Sequence, residues 1–153
     1  MVLSTNQIDT FNAKTDLSQA QYLAVVRDTT TGFVSLPTAK HQIPVGIIVN
    51  QPSGVAEIGP TLADSSYNTN LNWTTTFEQI SPVVCVGGIC EMAVDAAYGI
   101  GQILMARGDG TYNGYGTAWD SSANGTGVFT LYKNPSSVPG DVVTVSFSNI
   151  IGG

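Results

Sequence analysis

Few residues in this chain could carry out catalysis, and the first of them is its single histidine, His41. A serine nucleophile needs a base beside it, so every Ser-His-Asp arrangement in this sequence must use His41. His41 lies in the polar stretch 38–42, and no Gly-x-Ser-x-Gly turn is present to expose a nucleophilic serine. The acidic residues are scattered singly, which gives no reason to expect two carboxylates at the roughly 5–10 Å separation that glycoside hydrolysis needs. We therefore expect no catalytic residues and no enzymatic activity.

A second candidate for chemistry is a calcium-loop pattern. Its residues fall at positions one, three, five, six and twelve of such a loop: Asp109, Thr111, Asn113, Gly114 and Asp120. The pattern is incomplete, because the third position is threonine, the twelfth is aspartate rather than glutamate, and no helices flank it. Asp and Asn beside Gly also form ordinary turns, and we favour that interpretation. We expect neither a bound metal nor another cofactor.

The two cysteines, Cys85 and Cys90, flank the dipeptide Gly87-Gly88. If these glycines formed a two-residue hairpin turn, the cysteines would face each other across the strands and could form a disulfide. A protein made in the cytosol is kept reduced, and two cysteines cannot form a structural zinc site without other ligands. We favour two small buried thiols, with the disulfide as the alternative.

Composition and charge exclude several classes of partner. Charged residues make up 10% of the 153 residues, against roughly a quarter in an ordinary domain. Eleven acidic and five basic residues leave a net charge of −6 without a basic cluster, so neutralisation of phosphates cannot drive binding to DNA or RNA. The N-terminal residues lack the pattern of a secretory signal, and no apolar run approaches the roughly 18 residues that span a bilayer. We expect a protein made in the cytosol, with neither a nucleic acid nor a membrane as direct partner.

The elements that would position any site are predicted to be strands. Apolar residues alternate with period two from Gln21 onward, and no window shows persuasive helical periodicity. The predicted strands are 21–27 and 33–36, paired as a hairpin, then 44–50, 55–58, 82–86, 89–94 and 99–107, with two more near 129–131 and 143–147. Gly87-Gly88 predicts either a hairpin turn or a bulge. The fold class is therefore all-β, a small β-barrel or β-sandwich with long loops and an N-terminal arm.

The domain organisation follows from where this alternation stops. We predict an extended N-terminal arm at 1–20 and a body at 21–153, with loop excursions at 59–81 and 108–127. The arm is polar with isolated apolar residues, which is typical either of a segment that becomes ordered on a partner or of a frayed terminus. The first excursion contains Trp73 and Phe77, an aromatic pair that could contact a partner or cap the core.

Three segments carry a resemblance to a known family. The first is Pro44–Pro52 (PVGIIVNQP), preceded by Tyr22–Val26 (YLAVV); the second is Val83–Cys90 (VVCVGGIC), followed by a glycine-led strand; the third is Pro139–Val145 (PGDVVTV). They resemble, in the same order, the "PVGI…N-x-P" strand and turn, the central "V-x-V-x-G" strand and the closing "G-D-x-V-x-V" strand of the capsid cement, or head decoration, proteins of tailed bacteriophages.

This resemblance implies a non-enzymatic virion protein on the outer surface of the capsid, made in the cytoplasm of a bacterial host. Its partners would be the major capsid protein and neighbouring copies of itself, as a dimer or trimer. The candidate contacts with the capsid or with other copies are Phe11, Leu17, Trp73, Phe77 and Trp119. Removal of residues 1–20 is then expected to weaken capsid occupancy without unfolding the body.

Two alternative functions remain at this stage. A carbohydrate-binding adhesin module on the virion could use aromatic side chains in polar loops as platforms for sugars, with Trp73, Tyr112, Tyr115 and Trp119 as candidates. A tail structural subunit would instead assemble by itself into rings or tubes.

Overall fold

The computed structural model describes residues 7–52, 81–120 and 126–151. This part of the chain contains ten strands and no helix, which confirms the all-β prediction. The strands are β1 Gln7–Thr10, β2 Ala24–Arg27, β3 Val34–Ser35, β4 Gly46–Ile48, β5 Val83–Gly87, β6 Ile89–Ala93, β7 Ile103–Ala106, β8 Gly116–Ala118, β9 Gly127–Lys133 and β10 Val142–Ile151. The predicted strand 55–58 and nearly all of the predicted excursion 59–81 lie outside the described residues.

The strands form two antiparallel sheets of five strands each. The first sheet has the order β1-β5-β4-β2-β3 and the second the order β6-β10-β9-β7-β8. The arrangement is sandwich-like, and neither sheet is closed into a barrel. Of the two architectures that the sequence left open, the structure therefore has the sandwich.

The predicted hairpin of residues 21–27 and 33–36 is present as β2 and β3, with Val26 opposite Ser35. Its turn is held by the Asp28 carboxylate, which accepts the amides of Thr30 and Thr31 at 2.7 and 2.9 Å. Such Asx interactions are the reason aspartate starts tight turns.

Gly87-Gly88 does not form the hairpin turn, one of its two predicted structures, because β5 and β6 follow each other directly along the chain but belong to different sheets. The bulge alternative agrees with the register of β1 and β5, which shifts here: Gln7 lies opposite Gly87 and Ile8 opposite Cys85, so that Val86 is an extra residue on β5. Gly88 has a φ of +84°, a value that L-residues with a Cβ rarely adopt. This conformation turns the chain out of the first sheet and into the second.

Strand alternation buries side chains on both faces of β2, β4 and β5 in the first sheet. Ala24, Ile47 and Cys85 belong to a cluster shared with the second sheet, which we call the inter-sheet core. It consists of Ala24, Ile47, Cys85, Cys90, Met92, Val94, Leu104, Ala106, Val128, Phe129, Leu131, Val143 and Val145. Their neighbours along β2, β4 and β5 belong to a second cluster, the outer core: Ala13, Leu17, Ala20, Leu23, Val25, Val34, Ile48, Val84 and Ala93.

The N-terminal segment supplies much of the outer core. β1 pairs with β5 at one edge of the first sheet, and Ala13 then forms a parallel bridge with Val34 at the opposite edge. The Lys14 amide donates to the Val34 carbonyl at 2.7 Å, and Leu17 is 2% exposed. The described part of the predicted arm is thus packed against the body. Its removal should destabilise the body, contrary to the expectation from the sequence, because it would expose the outer core.

The second sheet has a similar bridge between its edges. Val94, just after β6, forms a parallel bridge with Gly116 at the start of β8, and the Asp95 amide donates to the Gly116 carbonyl at 3.0 Å. β8 itself was missed by the sequence analysis, which placed it inside the glycine-rich excursion 108–127. Its three residues contain a glycine and too little alternation to show a strand period.

Candidate functional site

The structure places the sequence-predicted contact residues in different parts of the molecule. Leu17 is inside the outer core, and Phe11 is half-buried, with the Arg27 guanidinium carbon 5.3 Å from its ring centroid. Trp119 is half-buried just after β8, and its amide donates to the carbonyl of Ile103 at 3.0 Å. Trp73 and Phe77 lie outside the described residues. Phe11 and Trp119 therefore belong to different sheets.

A polar cluster surrounds Arg107, the residue after β7. Its Nη1 lies 2.7 Å from Oδ2 of Asp95, and its Nε lies 3.1 Å from Oδ1 of Asp109. The Asp95 side chain is 5% exposed, so this ion pair is largely shielded from water. The guanidinium hydrogen bond holds the pKa of Asp109 below its usual range, and Asp109 in turn raises the pKa of Arg107.

Tyr98 also belongs to this polar cluster and connects it to β8. Its hydroxyl donates to Oδ1 of Asp95 at 2.7 Å and accepts the Ala118 amide at 3.1 Å. Burial, followed by the hydrogen bond to Asp95, raises the pKa of Tyr98. The cluster therefore joins the segment after β6 to β7 and β8.

The first four residues of the calcium-like pattern lie in the loop between β7 and β8, whereas Asp120 lies after β8. The Asp109 carboxylate accepts the Thr111 amide at 3.1 Å, and the Asn113 side-chain oxygen accepts the Gly110 amide at 2.9 Å. The Gly114 carbonyl accepts the Ala24 amide of β2 at 2.8 Å, which links this loop to the first sheet. In the part of the chain that the structure describes, no group of three or more His, Cys, Asp or Glu side chains is arranged to hold a metal. The side-chain oxygens of Asp109 and Asn113 thus serve the loop's own turns.

An open cavity of about 300 Å³ lies beside this cluster. Lys40, Asp109, Thr117 and Asp120 contribute polar groups to its lining, together with Arg107. The Arg107 guanidinium carbon also lies 5.4 Å from the ring centroid of Tyr112. The Tyr112 residue is 45% exposed, and its ring contacts Tyr115 edge to face at 5.1 Å. An exposed ring beside polar groups of both charges can stack on a sugar and hydrogen-bond its hydroxyls.

Exposed apolar side chains form a different candidate surface near one end of the second sheet. Ile100, Tyr132 and Val138 are 68%, 53% and 55% exposed. Their segments are neighbours, since the Gly101 amide donates to the Leu131 carbonyl at 2.9 Å and the Ser136 amide to the Tyr98 carbonyl at 3.1 Å. We call these three residues the apolar end. The apolar end was not predicted from the sequence, although the position of Ile100 between two glycines indicates an apolar residue in a turn.

Both cysteines are free and buried. The Sγ of Cys85 donates to the Gly87 carbonyl at 3.2 Å. The hydrogen bond from Cys90 lowers the pKa of Cys85 to about 7, whereas the same contact and burial raise the pKa of Cys90. The sequence-based interpretation as buried thiols is confirmed.

Comparison with protein-family models gave no match, and comparison with curated protein sequences gave no significant similarity. No helix in the described residues has the length and hydropathy required to cross a membrane. The residues of the chain and the three segments described above are therefore the basis for its function.

Proposed function

We propose that this protein is a non-enzymatic structural component of a bacteriophage virion, which binds the outer surface of the major capsid protein shell and stabilises the head. The observation that carries the proposal is the resemblance of three segments, in the same order along the chain, to capsid cement proteins. Segments 44–52 and 83–90 contribute β4, β5 and the start of β6, and segment 139–145 leads into β10.

These segments are far apart in sequence but adjacent in space. Ile47 of β4 lies opposite Cys85 of β5, and Val145 of β10 lies opposite Cys90 of β6. The resemblance thus involves neighbouring strands in both sheets. This supports the proposal, because segments that are retained from a common fold are expected to include strands that pair with each other.

The described surface also has the character of a contact surface. It combines few charges with exposed apolar side chains, three of which belong to the apolar end. Removing uncharged surface from water costs less than desolvating charges. A shell presents many copies of the same site, so modest affinity per contact becomes strong attachment when the decorating protein is a dimer or trimer.

The decisive experiment is co-sedimentation of the purified protein with expanded capsids that lack it, in parallel with unexpanded shells. We expect saturable binding to the expanded lattice, and the plateau gives the number of copies per capsomer. The variant Ile100→Ser tests the apolar end, with Ile43→Ser as the matched control, since both isoleucines are exposed. Absence of binding to both kinds of shell would refute the capsid proposal.

Light scattering of the protein alone distinguishes the tail-subunit alternative. A cement protein should remain a dimer or trimer without a capsid lattice, whereas a tail subunit should form rings or tubes.

A carbohydrate-binding module is the second candidate, and the exposed Tyr112 ring beside the polar cavity favours it. A glycan array tests it directly. Loss of a saccharide signal in Tyr112→Ala, with the signal retained in Tyr132→Ala, would assign the platform, because both tyrosines are exposed but only Tyr112 contacts Arg107 at the cavity. A blank array with folded protein would reject this candidate.

A further inference from the structure

The four edge strands of the two sheets differ in how their outer sides are covered. They are β1 and β3 in the first sheet and β6 and β8 in the second. β3 and β8 each form a parallel bridge with a neighbouring segment on the outer side. At β1, the Thr10 amide donates to the carboxylate of Asp9 at 2.8 Å. This leaves the outer side of β6 as the candidate edge for an added strand.

Backbone hydrogen bonds show which residues of β6 face away from its neighbour β10. The Phe147 amide of β10 donates to the Gly88 carbonyl at 3.0 Å. Alternate residues of an antiparallel strand point their backbone groups to the same side, so positions 90 and 92 also face β10. The amides and carbonyls of Ile89 and Glu91 therefore point outward, and no strand in the described residues pairs with them there.

Ala93, the next residue of this outward series, shows what such a position binds. Its amide donates to the carbonyl of Tyr22 at 2.9 Å. The Tyr22 amide in turn donates to the Ile48 carbonyl at 2.8 Å, which anchors Tyr22 to the first sheet. Tyr22 thus takes the place of an added strand beside Ala93 and marks the end of the open stretch.

A cavity of about 500 Å³ borders this open stretch. Tyr22 and Val49 line it from the first sheet, and Ile89, Cys90 and Glu91 line it from β6. Its volume lies within the usual range of roughly 300–1,000 Å³ for ligand sites. The outward backbone groups of β6 therefore have space beside them for a short extended segment.

The side chains at this edge indicate the composition of that segment. Glu91 is exposed and forms no ion pair with any other residue that the structure describes. An opposite charge directly across a strand pair is favourable, so a basic residue is favoured opposite Glu91. Cys90 belongs to the inter-sheet core, against which the half-buried Val49 also packs. An apolar residue is therefore favoured opposite Cys90.

We propose that the outer edge of β6 binds an extended peptide segment of a partner protein, which adds as an antiparallel strand with a basic residue opposite Glu91 and an apolar residue opposite Cys90. Ile89 and Glu91 would each exchange two backbone hydrogen bonds with the segment. Backbone bonds supply affinity in this mode of recognition, and alternate side chains supply specificity. The inference does not depend on the virion function, because it uses only this edge and the adjacent cavity.

A second copy of the protein is a less suitable occupant of this edge. Pairing of β6 with β6 of another copy would place two Glu91 carboxylates on the same face of adjacent strands, where like charges are unfavourable. The segment that fits is therefore basic where β6 is acidic.

The test is fluorescence anisotropy of a fluorescein-labelled peptide, Thr-Lys-Val-Val-Thr with blocked ends, titrated with the full-length protein. We expect saturable binding with a Kd below about 1 mM. N-methylation of the lysine amide, which would donate to Glu91, should weaken binding by about tenfold or more, whereas N-methylation of the next valine amide, which would point away from β6, should change it by less than about twofold. Absence of saturable binding, or equal losses from the two methylations, would overturn the proposal.

Two charge variants locate the bound peptide. Glu91→Lys should weaken binding of the lysine peptide and strengthen binding of Thr-Glu-Val-Val-Thr, each by about threefold or more. Asp9→Lys is the matched control, since it makes the same charge change on the exposed edge strand β1, and it should alter neither affinity. An effect of Asp9→Lys without one of Glu91→Lys would place the peptide at β1 and refute the assignment to β6. Circular dichroism verifies that both variants are folded, and the methylated peptides test the wild-type protein independently of them.

Discussion

The two sheets of this protein are stabilised in different ways. The first consists of strands of two to five residues; β2, β4 and β5 contribute to a buried core on each face, whereas β1 at the edge is exposed. The second contains the two longest described strands, β9 with seven residues and β10 with ten. Its outer face carries exposed side chains such as Tyr132. Short strands supply few ladder hydrogen bonds, so the first sheet depends on a covering segment, whereas the second depends more on its own pairing.

In both sheets, nevertheless, a parallel β-bridge links the two edges. A strand at one edge continues past its end and forms one parallel bridge with the strand at the other edge, through Ala13 and Val34 in the first sheet and through Val94 and Gly116 in the second. In the first sheet the bridging segment comes from the N-terminus, whereas in the second it follows β6 directly. We therefore expect damage to the N-terminal segment to affect the first sheet before the second.

The largest effect is expected from deletion of residues 1–20. The deletion removes β1 and three buried residues of the outer core, Ala13, Leu17 and Ala20. The truncated protein should be unfolded or insoluble at 25 °C, as judged by circular dichroism and by the yield of soluble protein. A truncation of residues 1–6 is the matched control, and it should retain β1. A cooperatively folded protein after removal of 1–20 would contradict the role given to the outer core.

A sharper comparison uses the same substitution in each core. Leu17 and Leu131 are 2% and 1% exposed, in the outer and inter-sheet cores respectively. Each change to alanine should lower the free energy of unfolding by about 3 kcal/mol, within the usual range of about 2–5 for buried leucines. Urea denaturation measures this loss. Ile8→Ala, at an exposed position on β1, should cost less than about 0.5 kcal/mol.

Hydrogen exchange distinguishes the two leucine variants by location. Leu17→Ala should increase exchange in the amides of β1 and β3, while those of β9 and β10 stay protected. Leu131→Ala should have the reverse effect. The same pattern of exchange in both variants would show that the sheets unfold as one unit.

A smaller effect is expected from Gly46→Ala on β4. A Cβ at this position would lie 2.2 Å from the carbonyl oxygen of Cys85 in β5. The strands must separate to accept it, and overpacking of this kind costs about 1–3 kcal/mol. Gly99→Ala is the control in the same assay, because a Cβ there meets no atom within 4 Å. Equal stability of the two variants would refute close packing between β4 and β5.

The smallest effect concerns pH and the polar cluster of the second sheet. Burial and Asp95 raise the pKa of Tyr98 above its ordinary value of 10.0. The folded state therefore retains this proton more strongly than the unfolded state, so its contribution is fully present below pH 10 and is lost as the pH rises through the folded pKa. Tyr98→Phe should flatten the decline of the unfolding free energy above pH 10, measured by urea denaturation at several pH values. An unchanged alkaline slope would exclude Tyr98 as its source.

Local sequence patterns predicted the strands and turns better than they predicted which strands and segments pack against each other. The alternation around Ala24 and Val25 predicted β2, and Asp28 predicted its turn, because both signals act between residues close in sequence. The pattern could not show that both faces of this strand are buried by different parts of the chain. The hairpin alternative for Gly87-Gly88 also failed because the signal is local. Two glycines indicate a turn, but they do not indicate whether the next strand pairs with the preceding one or joins the other sheet.

The candidate sites were less predictable than the fold. The calcium-like pattern around Asp109 was identified from spacing, but the ion pair of Arg107 with Asp95 joins residues twelve positions apart and has no local signature. Leu17 looked like a contact residue in a polar arm because its apolar neighbours are irregularly spaced. A segment that covers a sheet face without forming a strand does not show period-two alternation, so its buried residues are not apparent from the sequence pattern.

The sequence by itself determined that this protein is all-β, where most of its described strands lie and that its surface is poor in charge. These properties depend on side-chain alternation, β-branched residues and composition, each of which acts locally or additively. Only the tertiary structure decided that the N-terminal segment completes a core, that β5 and β6 separate into two sheets and that Cys85 and Cys90 are both buried in the inter-sheet core. Those outcomes depend on contacts between distant residues, whose pairing is selected by the packing of the whole chain.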